Sequence, residues 1–347
     1  MGTNKFLSLQ DYDYNLPKEL IAQSPVEPRD HSKLLVLDID TGLLEDRHFY
    51  DLPYYLTKGD VLVFNDTRVM PARIFGKTDK GSKVELLLLK QIHKYTWRAL
   101  VKPGSKMKKG TQFFVGNNEF TCKVDSVEVD GTRLVVLSEE LNLMDEGVVP
   151  VPPYITQELN DPERYQTIYS SVPKSIAAPT AGLHFTEQLM EDLRKTGVEI
   201  IFVTLDIGWG TFRPISVENI YDHQMDSEEF FLPESAAKTI NKAKTEGRRV
   251  ISVGTTCVRL LESNVEKHRI ESNHIVSHGF GNTNLFIKPR HEFKIVDGLV
   301  SNFHLPKSTL LLLVSALVGK ENLFRAYSHA VKNDYRFYSF GDAMLMI

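Results

Sequence analysis

The apolar pattern changes period once along this chain, and that change limits the folds open to it. From Gly59 to about Val148 the apolar residues come in short β-rich runs: VLVFND, ARIFGKT, KVELLLLKQI, TWRALVKP, TQFFV, FTCKVDSVEV and TRLVVLS. Gly, Asp and Lys punctuate them at regular spacing and no helical period intervenes, which predicts a small all-β barrel or sandwich. From Ile176 onward helix-like and strand-like segments alternate. VEIIFVTLDI has the near-continuous apolar character of a buried strand. Thr186 caps a helix, TEQLMEDLRKT, that Gly197 ends. PESAAKTINKAKTEG is an amphipathic helix with Pro233 near its start and Gly247 just past its end. RRVISVGTTCVRLLESNV reads as strand, tight turn and helix. Such alternation implies crossover connections and a mostly parallel sheet.

The chain has 347 residues, beyond the roughly 250–300 at which one hydrophobic core stops growing. The expected architecture is a large mixed or mostly parallel α/β domain, residues 1–58 and 149–347. A small all-β barrel domain, residues 59–148, is inserted near its N-terminus. Val149-Pro150-Val151-Pro152-Pro153 makes a stiff, extended exit from the barrel. Upstream, Pro17 opens a short helical stretch, LPKELIA, that Pro25 and Pro28 end. KLLVLDI and LEDRHFY flank Asp40-Thr41-Gly42 as a hairpin.

Composition narrows the function classes. A net charge of -4 argues against a protein held on nucleic acid by bulk charge alone, and leaves room for a local basic patch. Cys122 and Cys257 lie far apart, with no C-x-x-C and no disulfide framework, which fits a reducing cytosol. The N-terminal stretch lacks an apolar signal core. The strongest apolar run, Leu310 to Val318, is about half the ~20 residues that span a bilayer, and reads as a buried helix. The expectation is a cytoplasmic chain with no membrane partner.

Several segments could carry chemistry. Ligands in parallel sheets bind beyond the carboxyl ends of strands, where helix N-termini offer free N–H groups. Gly254, Thr255 and Thr256 occupy such a turn; their hydroxyls and open backbone suit a ribose, a carboxylate or a phosphate. Arg259 lies one turn further in. An ordinary capped helix start has the same composition. Gly208-Trp209-Gly210-Thr211-Phe212 follows a strand ending at Ile207. Paired glycines let a backbone approach a ligand closely, and Trp209 offers a ring face to a base or a cation. A tight loop with a surface-packed Trp reads the same way. Asp206, a carboxylate ending an apolar strand, is costly there unless partnered or functional.

In AAPTAGLHFT, Ala177 to Thr186, small residues with Thr180 and Gly182 lead into a helix start. His184 there has the side chain best matched to acid–base work near neutral pH, although a lone histidine at a helix start is more often structural. Asn65-Asp66-Thr67-Arg68 ends an apolar strand and reads as a site or a strong turn. Ser301, Asn302, Phe303 and His304 open a polar run before the buried helix, suggesting a loop at a site mouth. His304 is a second acid–base candidate.

Other signals carry less. Gly279-Phe280-Gly281 imitates half a dinucleotide fingerprint but leads into another β-like run, NLFIKP, and not a helix. His274 and His278 would lie roughly 13 Å apart in a strand, too far to share a metal ion. Cys257 reads as a buried, inert thiol. Two basic clusters, Lys102, Lys106, Lys108 and Lys109 in the β domain and Lys238, Lys242, Arg248 and Arg249 on or after one helix, suit phosphates or a solvated face equally.

Taken in order, these segments resemble one family, the S-adenosylmethionine:tRNA ribosyltransferase-isomerases of queuosine synthesis (the QueA family). The resemblance runs from DYDYNLPKELIAQSPVEPRDHSKLLVLD through VLVFNDTRVMPARI, VPPYI, ERYQTIY, IAAPTAGLHFT and VTLDIGWGTFRPI. It continues through VGTTCVRLLES, VDGLVSNFHLPKSTLLLLVSAL and YRFYSFGDAML. It implies a large α/β domain with an inserted β-barrel. The implied substrates are S-adenosylmethionine and a tRNA carrying 7-aminomethyl-7-deazaguanine at the wobble position. The implied products are epoxyqueuosine-tRNA, adenine and methionine, with no metal or redox cofactor; a monomer is expected.

A sulfonium acidifies its neighbouring C–H bonds, so that reaction needs a base at the ribose 5′ carbon, a cation-tolerant pocket and a platform for two purine-like rings. His184 and His304 are the acid–base candidates. Thr255, Thr256 and Arg259 suit ribose hydroxyls or a carboxylate, and Trp209 and Phe212 a ring or the sulfonium. Two positions depart from the family pattern, Asp206 and Asp226, where the family usually has His. Either carboxylate could substitute as base, and Asp206 could stabilise the sulfonium by charge. Competing readings are another S-adenosylmethionine-dependent tRNA-modifying enzyme, such as a methyltransferase, and a non-catalytic tRNA-binding protein.

Overall fold

A computed structural model describes residues 6–116, 120–208, 210, 215–267 and 274–347. The chain forms two compact units. One comprises Met1–Thr67, Pro153–Val172 and Ala178–Ile347; the other comprises Arg68–Pro152 and Pro173–Ala177. In chain order the strands are β1 (Lys33–Leu37), β2 (Leu44–His48), β3 (Val61–Asn65), β4 (Thr67–Val69), β5 (Arg73–Lys77), β6 (Lys83–His93), β7 (Thr96–Lys102), β8 (Gln112–Val115), β9 (Phe120–Val127), β10 (Arg133–Leu137), β11 (Val172–Ser175), β12 (Glu199–Leu205), β13 (Glu228–Leu232), β14 (Val250–Val253), β15 (Val265–Lys267), β16 (His274–Val276), β17 (Gly279–Thr283), β18 (Gly298–Asn302) and β19 (Ala343–Met346). The helices are α1 (Leu143–Glu146), α2 (Glu187–Lys195), α3 (Glu234–Thr245), α4 (Thr255–Ser263), α5 (Thr309–Val318) and α6 (Lys320–Lys332).

The larger unit is built on a nine-stranded sheet in the order β17-β13-β12-β3-β14-β18-β19-β1-β2. β12, β3, β14 and β18 run parallel to one another, and β1 pairs parallel with β19. The β18–β19, β1–β2, β12–β13 and β13–β17 pairs are antiparallel. The sheet is mixed; of its four continuous parallel strands, β12, β14 and β18 come from the segment where helices and strands alternate in sequence, and β3 comes from upstream of it. Alternate strand residues face one layer: Leu62 and Phe64, Ile251 and Val253, Ala343 and Leu345 share a core with Phe49, Phe185 and the α2 residues Leu189, Met190 and Leu193. The three α2 residues recur at helical spacing, so they fall on one face. Thr186 caps α2 by accepting a hydrogen bond from the Leu189 N–H at 3.2 Å. α3 and α4 also pack against β3, β12 and β14, and all five β3 residues are buried.

The smaller unit is a closed barrel, β10-β7-β6-β5-β8-β9. Its inward residues alternate strictly: Val84, Leu86 and Leu88, then Ala99 and Val101, Phe113 and Val115, Cys122 and Val124. That is the period of two read from the sequence.

Three expectations need correction. VLVFND was expected at the head of the β domain, but β3 lies at the centre of the large sheet. Its unbroken burial, beside the alternation of β6, is the mark of a strand covered on both faces. LPKELIA forms only a single 3-10 turn, Lys18–Leu20, with no buried residue to hold a longer helix. NLFIKP is not a strand; β17 ends at Thr283.

Candidate active site

The parallel strands deliver their carboxyl ends to one edge of the larger unit, and the site groups gather there. β14 leads through Gly254, with φ of 89°, into α4, so Thr255 and Thr256 stand on its first turn. Glycine suits this backbone because φ is positive. β18 ends at Ser301 and Asn302, and His304 follows before α5. The 3-10 segment Thr180–His184 supplies Thr180. A cavity of about 320 Å³ is lined by Thr180, Asn302, His304, Tyr154 and Tyr338 among others. A second, of about 40 Å³, is lined by Thr180, Gly254, Thr255, Thr256, Ser301 and His304. Thr180 and His304 belong to both.

The two histidines differ in what their ring nitrogens do. His184 Nδ1 lies 2.7 Å from Ser32 Oγ, and its Nε2 lies 3.1 Å from Asn302 Nδ2. Its ring stacks on Phe49 at 4.9 Å. The amide nitrogen of Asn302 is a donor, so Nε2 accepts and Nδ1–H donates to Ser32. His304 uses one ring nitrogen: Nε2 lies 2.9 Å from Ser301 Oγ. Tyr327 Oη accepts from the His304 backbone N–H at 3.0 Å, and Tyr14 Oη donates to its carbonyl. No hydrogen bond engages His304 Nδ1 among the described residues. Burial lowers both side chains to about 3, with Arg336 and Arg29 adding to the effect at His184. Both imidazoles are therefore neutral at physiological pH.

Other candidates are bound up in the scaffold. Arg259 pairs with Glu228, donates to the Leu285 carbonyl at 3.0 Å and lines neither cavity. Glu228 also accepts from the Gly208 N–H at 3.1 Å, so this buried pair holds the backbone at Gly208, just past β12. These contacts engage Nε and Nη1 of Arg259. Asn65 bonds both backbone groups of Leu205, at 3.0 Å each, and continues the β3–β12 ladder with its side chain. Asp66 accepts from Thr204 Oγ1 at 2.6 Å and Ser171 Oγ at 3.2 Å. Thr67 Oγ1 donates to the Val172 carbonyl, and Arg68 belongs to the smaller unit. The polar run is a strong turn.

At Gly182 a Cβ would meet Tyr169 Oη at 2.0 Å, so that glycine serves packing. Phe303 is fully buried against Tyr327, Tyr335 and Phe337. Asp206 is half-buried, and its N–H donates to the Glu229 carbonyl. Asp226 is exposed and packs against Gly210. Trp209, Thr211 and Phe212 lie outside the described residues.

Sequence reasoning missed Tyr154, Tyr338 and Ser32. Tyr154 and Tyr338, with ring centroids 4.7 Å apart, give the larger cavity an aromatic wall. YRFYSF, holding Tyr338, was visible only as a block of the resemblance. The two basic clusters also separate. Lys238, Lys242, Arg248 and Arg249 are each paired, with Glu234, Glu246, Glu199 and Asp60 respectively. In the barrel Lys102 pairs with Glu85, while Lys106, Lys108 and Lys109 are exposed and form no ion pair among the described residues.

Among the described residues no helix is long and apolar enough to cross a membrane. A family described as queuosine biosynthesis protein matches residues 9–346. An S-adenosylmethionine:tRNA ribosyltransferase-isomerase of Acetivibrio thermocellus is 49% identical, over 98% of this chain and 100% of that protein. One from Fusobacterium nucleatum is 48% identical, over 97% and 96%. The crystal structure of an S-adenosylmethionine tRNA ribosyltransferase from Thermotoga maritima, 37% identical, matches 97% of this chain and 100% of that one with a TM-score of 0.55.

Proposed function

This chain belongs to the queuosine biosynthesis protein family, and on that premise we propose that it transfers and isomerises the ribosyl moiety of S-adenosylmethionine onto 7-aminomethyl-7-deazaguanine at the tRNA wobble position. The products are epoxyqueuosine-tRNA, adenine and methionine. The activity named for its relatives supports this reading. The single site observation that carries the chemistry is His304, a neutral imidazole lining both cavities, its Nδ1 unengaged among the described residues.

His304 Nδ1 takes a proton from the ribose 5′ carbon, which the adjacent sulfonium makes acidic. The C5′ electron pair forms a C4′=C5′ bond as C4′–O4′ opens, and O4′ becomes the C1′ carbonyl as adenine leaves with the glycosidic electron pair and takes up the proton held by His304. The aminomethyl nitrogen adds to C4′ of the vinyl sulfonium and gives up a proton to solvent. The C5′ ylide so regenerated bonds to C1′, and the C1′ alkoxide then closes the epoxide on C5′ as methionine leaves with the C–S electron pair. A neutral base suits the site, because an imidazolium would repel the incoming cation. Thr255, Thr256 and the N–H groups opening α4 offer partners to a ribose hydroxyl or a carboxylate. Tyr154 and Tyr338 offer ring faces to the sulfonium or a base. The scheme calls for no metal or redox cofactor, since each step moves an electron pair and the sulfonium supplies the leaving group.

The tRNA phosphates are assigned to Lys106, Lys108 and Lys109, whose charges are not spent on neighbouring carboxylates. The proposal places the enzyme in the cytoplasm as a monomer, a setting that two buried free thiols suit. Product analysis after incubation with S-adenosylmethionine and tRNA bearing the aminomethyl base tests the reading. Adenine and methionine are expected; S-adenosylhomocysteine would mean methyl transfer, and no small-molecule product would mean binding alone.

A further inference from the structure

A chain of polar groups behind the larger cavity ends on one unsatisfied atom. Ser32 Oγ, His184 and Asn302 Nδ2 are linked at 2.7 Å and 3.1 Å. The same Nδ2 donates to the Tyr338 carbonyl at 3.0 Å. Both acceptors lie beside the amide nitrogen, which fixes the carboxamide's orientation. Turned over, its oxygen would face the Tyr338 carbonyl oxygen. Asn302 is 3% exposed and lines the cavity, and its Oδ1 has no hydrogen-bond partner among the described residues. A buried acceptor left unpaired is destabilising and calls for a partner. Asn302 lines the larger cavity, so a ligand there lies against this residue.

We propose that Asn302 Oδ1 accepts a hydrogen bond from an N–H or O–H group of S-adenosylmethionine, and that His184 is the positioning residue holding the carboxamide in that orientation. The inference rests on the function proposed above and moves His184 out of the acid–base role. His184 lines neither site cavity, and both its ring nitrogens are already engaged. Its contribution to substrate binding passes through Asn302.

Calorimetry with S-adenosylmethionine and with 5′-methylthioadenosine, which lacks the methionyl half, tests this without tRNA. Asn302→Leu is expected to weaken S-adenosylmethionine binding about tenfold, the size of one hydrogen bond. His184→Phe should weaken it by a similar factor, and the double variant no further. His184→Gln, whose carbonyl can still accept from Asn302, should recover most of the affinity, and its pH profile of adenine release should keep the wild-type shape. A donor on the adenosine half makes methylthioadenosine lose the same factor in Asn302→Leu; a donor on the methionyl half leaves it unchanged. Ser32→Ala, which cuts only the far end of the chain, should weaken binding a few-fold and keeps the test open if His184→Phe fails to fold. Unchanged affinity in Asn302→Leu overturns the proposal. So do additive losses in the double variant, or a missing limb of the pH profile in His184→Gln. Wild-type protein that binds S-adenosylmethionine but releases no adenine sinks the functional reading alone, because the binding comparison still decides on Asn302.

Discussion

His184 and His304 are both buried and both neutral, yet only one of them has a nitrogen to give a substrate. The sequence presents each as a histidine near a helix start and offers no ground for choosing. The choice depends on Ser32, which lies 152 residues from His184 in the chain, and on the local Ser301–His304 contact. Gly182 carries a similar lesson. In the sequence it is one of the small residues leading into a helix start, whereas the structure uses it to admit Tyr169. Gly182→Ala is expected to destabilise the fold by about 1–3 kcal/mol through overpacking, seen as a lower thermal midpoint. A Cβ there would meet Tyr169 Oη at 2.0 Å and Thr167 Cγ2 at 2.8 Å.

At the scale of elements, the site is made by the turns and loops at the carboxyl ends of the parallel strands. The turn from β14 into α4 and the loop from β18 to α5 were legible, because apolar runs stop there and polar residues begin. Where the Arg259 side chain goes was not legible. Its partner Glu228 opens β13, an antiparallel neighbour that no helix–strand alternation announces. Arg259→Ala should cost roughly 3–5 kcal/mol, because it leaves the buried Glu228 without its cation. Denaturant titration measures this, and a loss below about 1 kcal/mol would contradict the anchoring role. β3 was placed in the wrong unit because a short apolar run fits both a barrel and a sheet centre. Its lack of alternation was the signal that separates them.

At the scale of the molecule, the buried histidines set a pH dependence. Each falls from an ordinary value of 6.5 to about 3 on folding. Between those limits the unfolded chain binds protons that the folded chain refuses. Their contribution therefore destabilises as pH falls below about 6.5, by up to about 1.4 kcal/mol per pH unit for each histidine, and levels off near 3. His304→Gln removes one such group, so the stability gap between wild type and variant should narrow as the pH is lowered; a constant gap would contradict burial of a neutral ring. Net charge gave no hint of where RNA binds; the two basic clusters are told apart by their acidic neighbours, which the fold supplies. Replacing Lys106, Lys108 and Lys109 together by Glu should weaken tRNA binding and flatten its salt dependence, with S-adenosylmethionine affinity intact. An unchanged salt slope would move the phosphate contacts elsewhere.

The most direct measurement is single-turnover adenine release from S-adenosylmethionine in the presence of tRNA bearing the aminomethyl base, by wild type and His304→Gln. Wild type should release one adenine per tRNA modified. His304→Gln should be slower by roughly 10²–10⁴-fold while still binding S-adenosylmethionine. No adenine from wild type, or a variant within about twofold of its rate, would contradict the account.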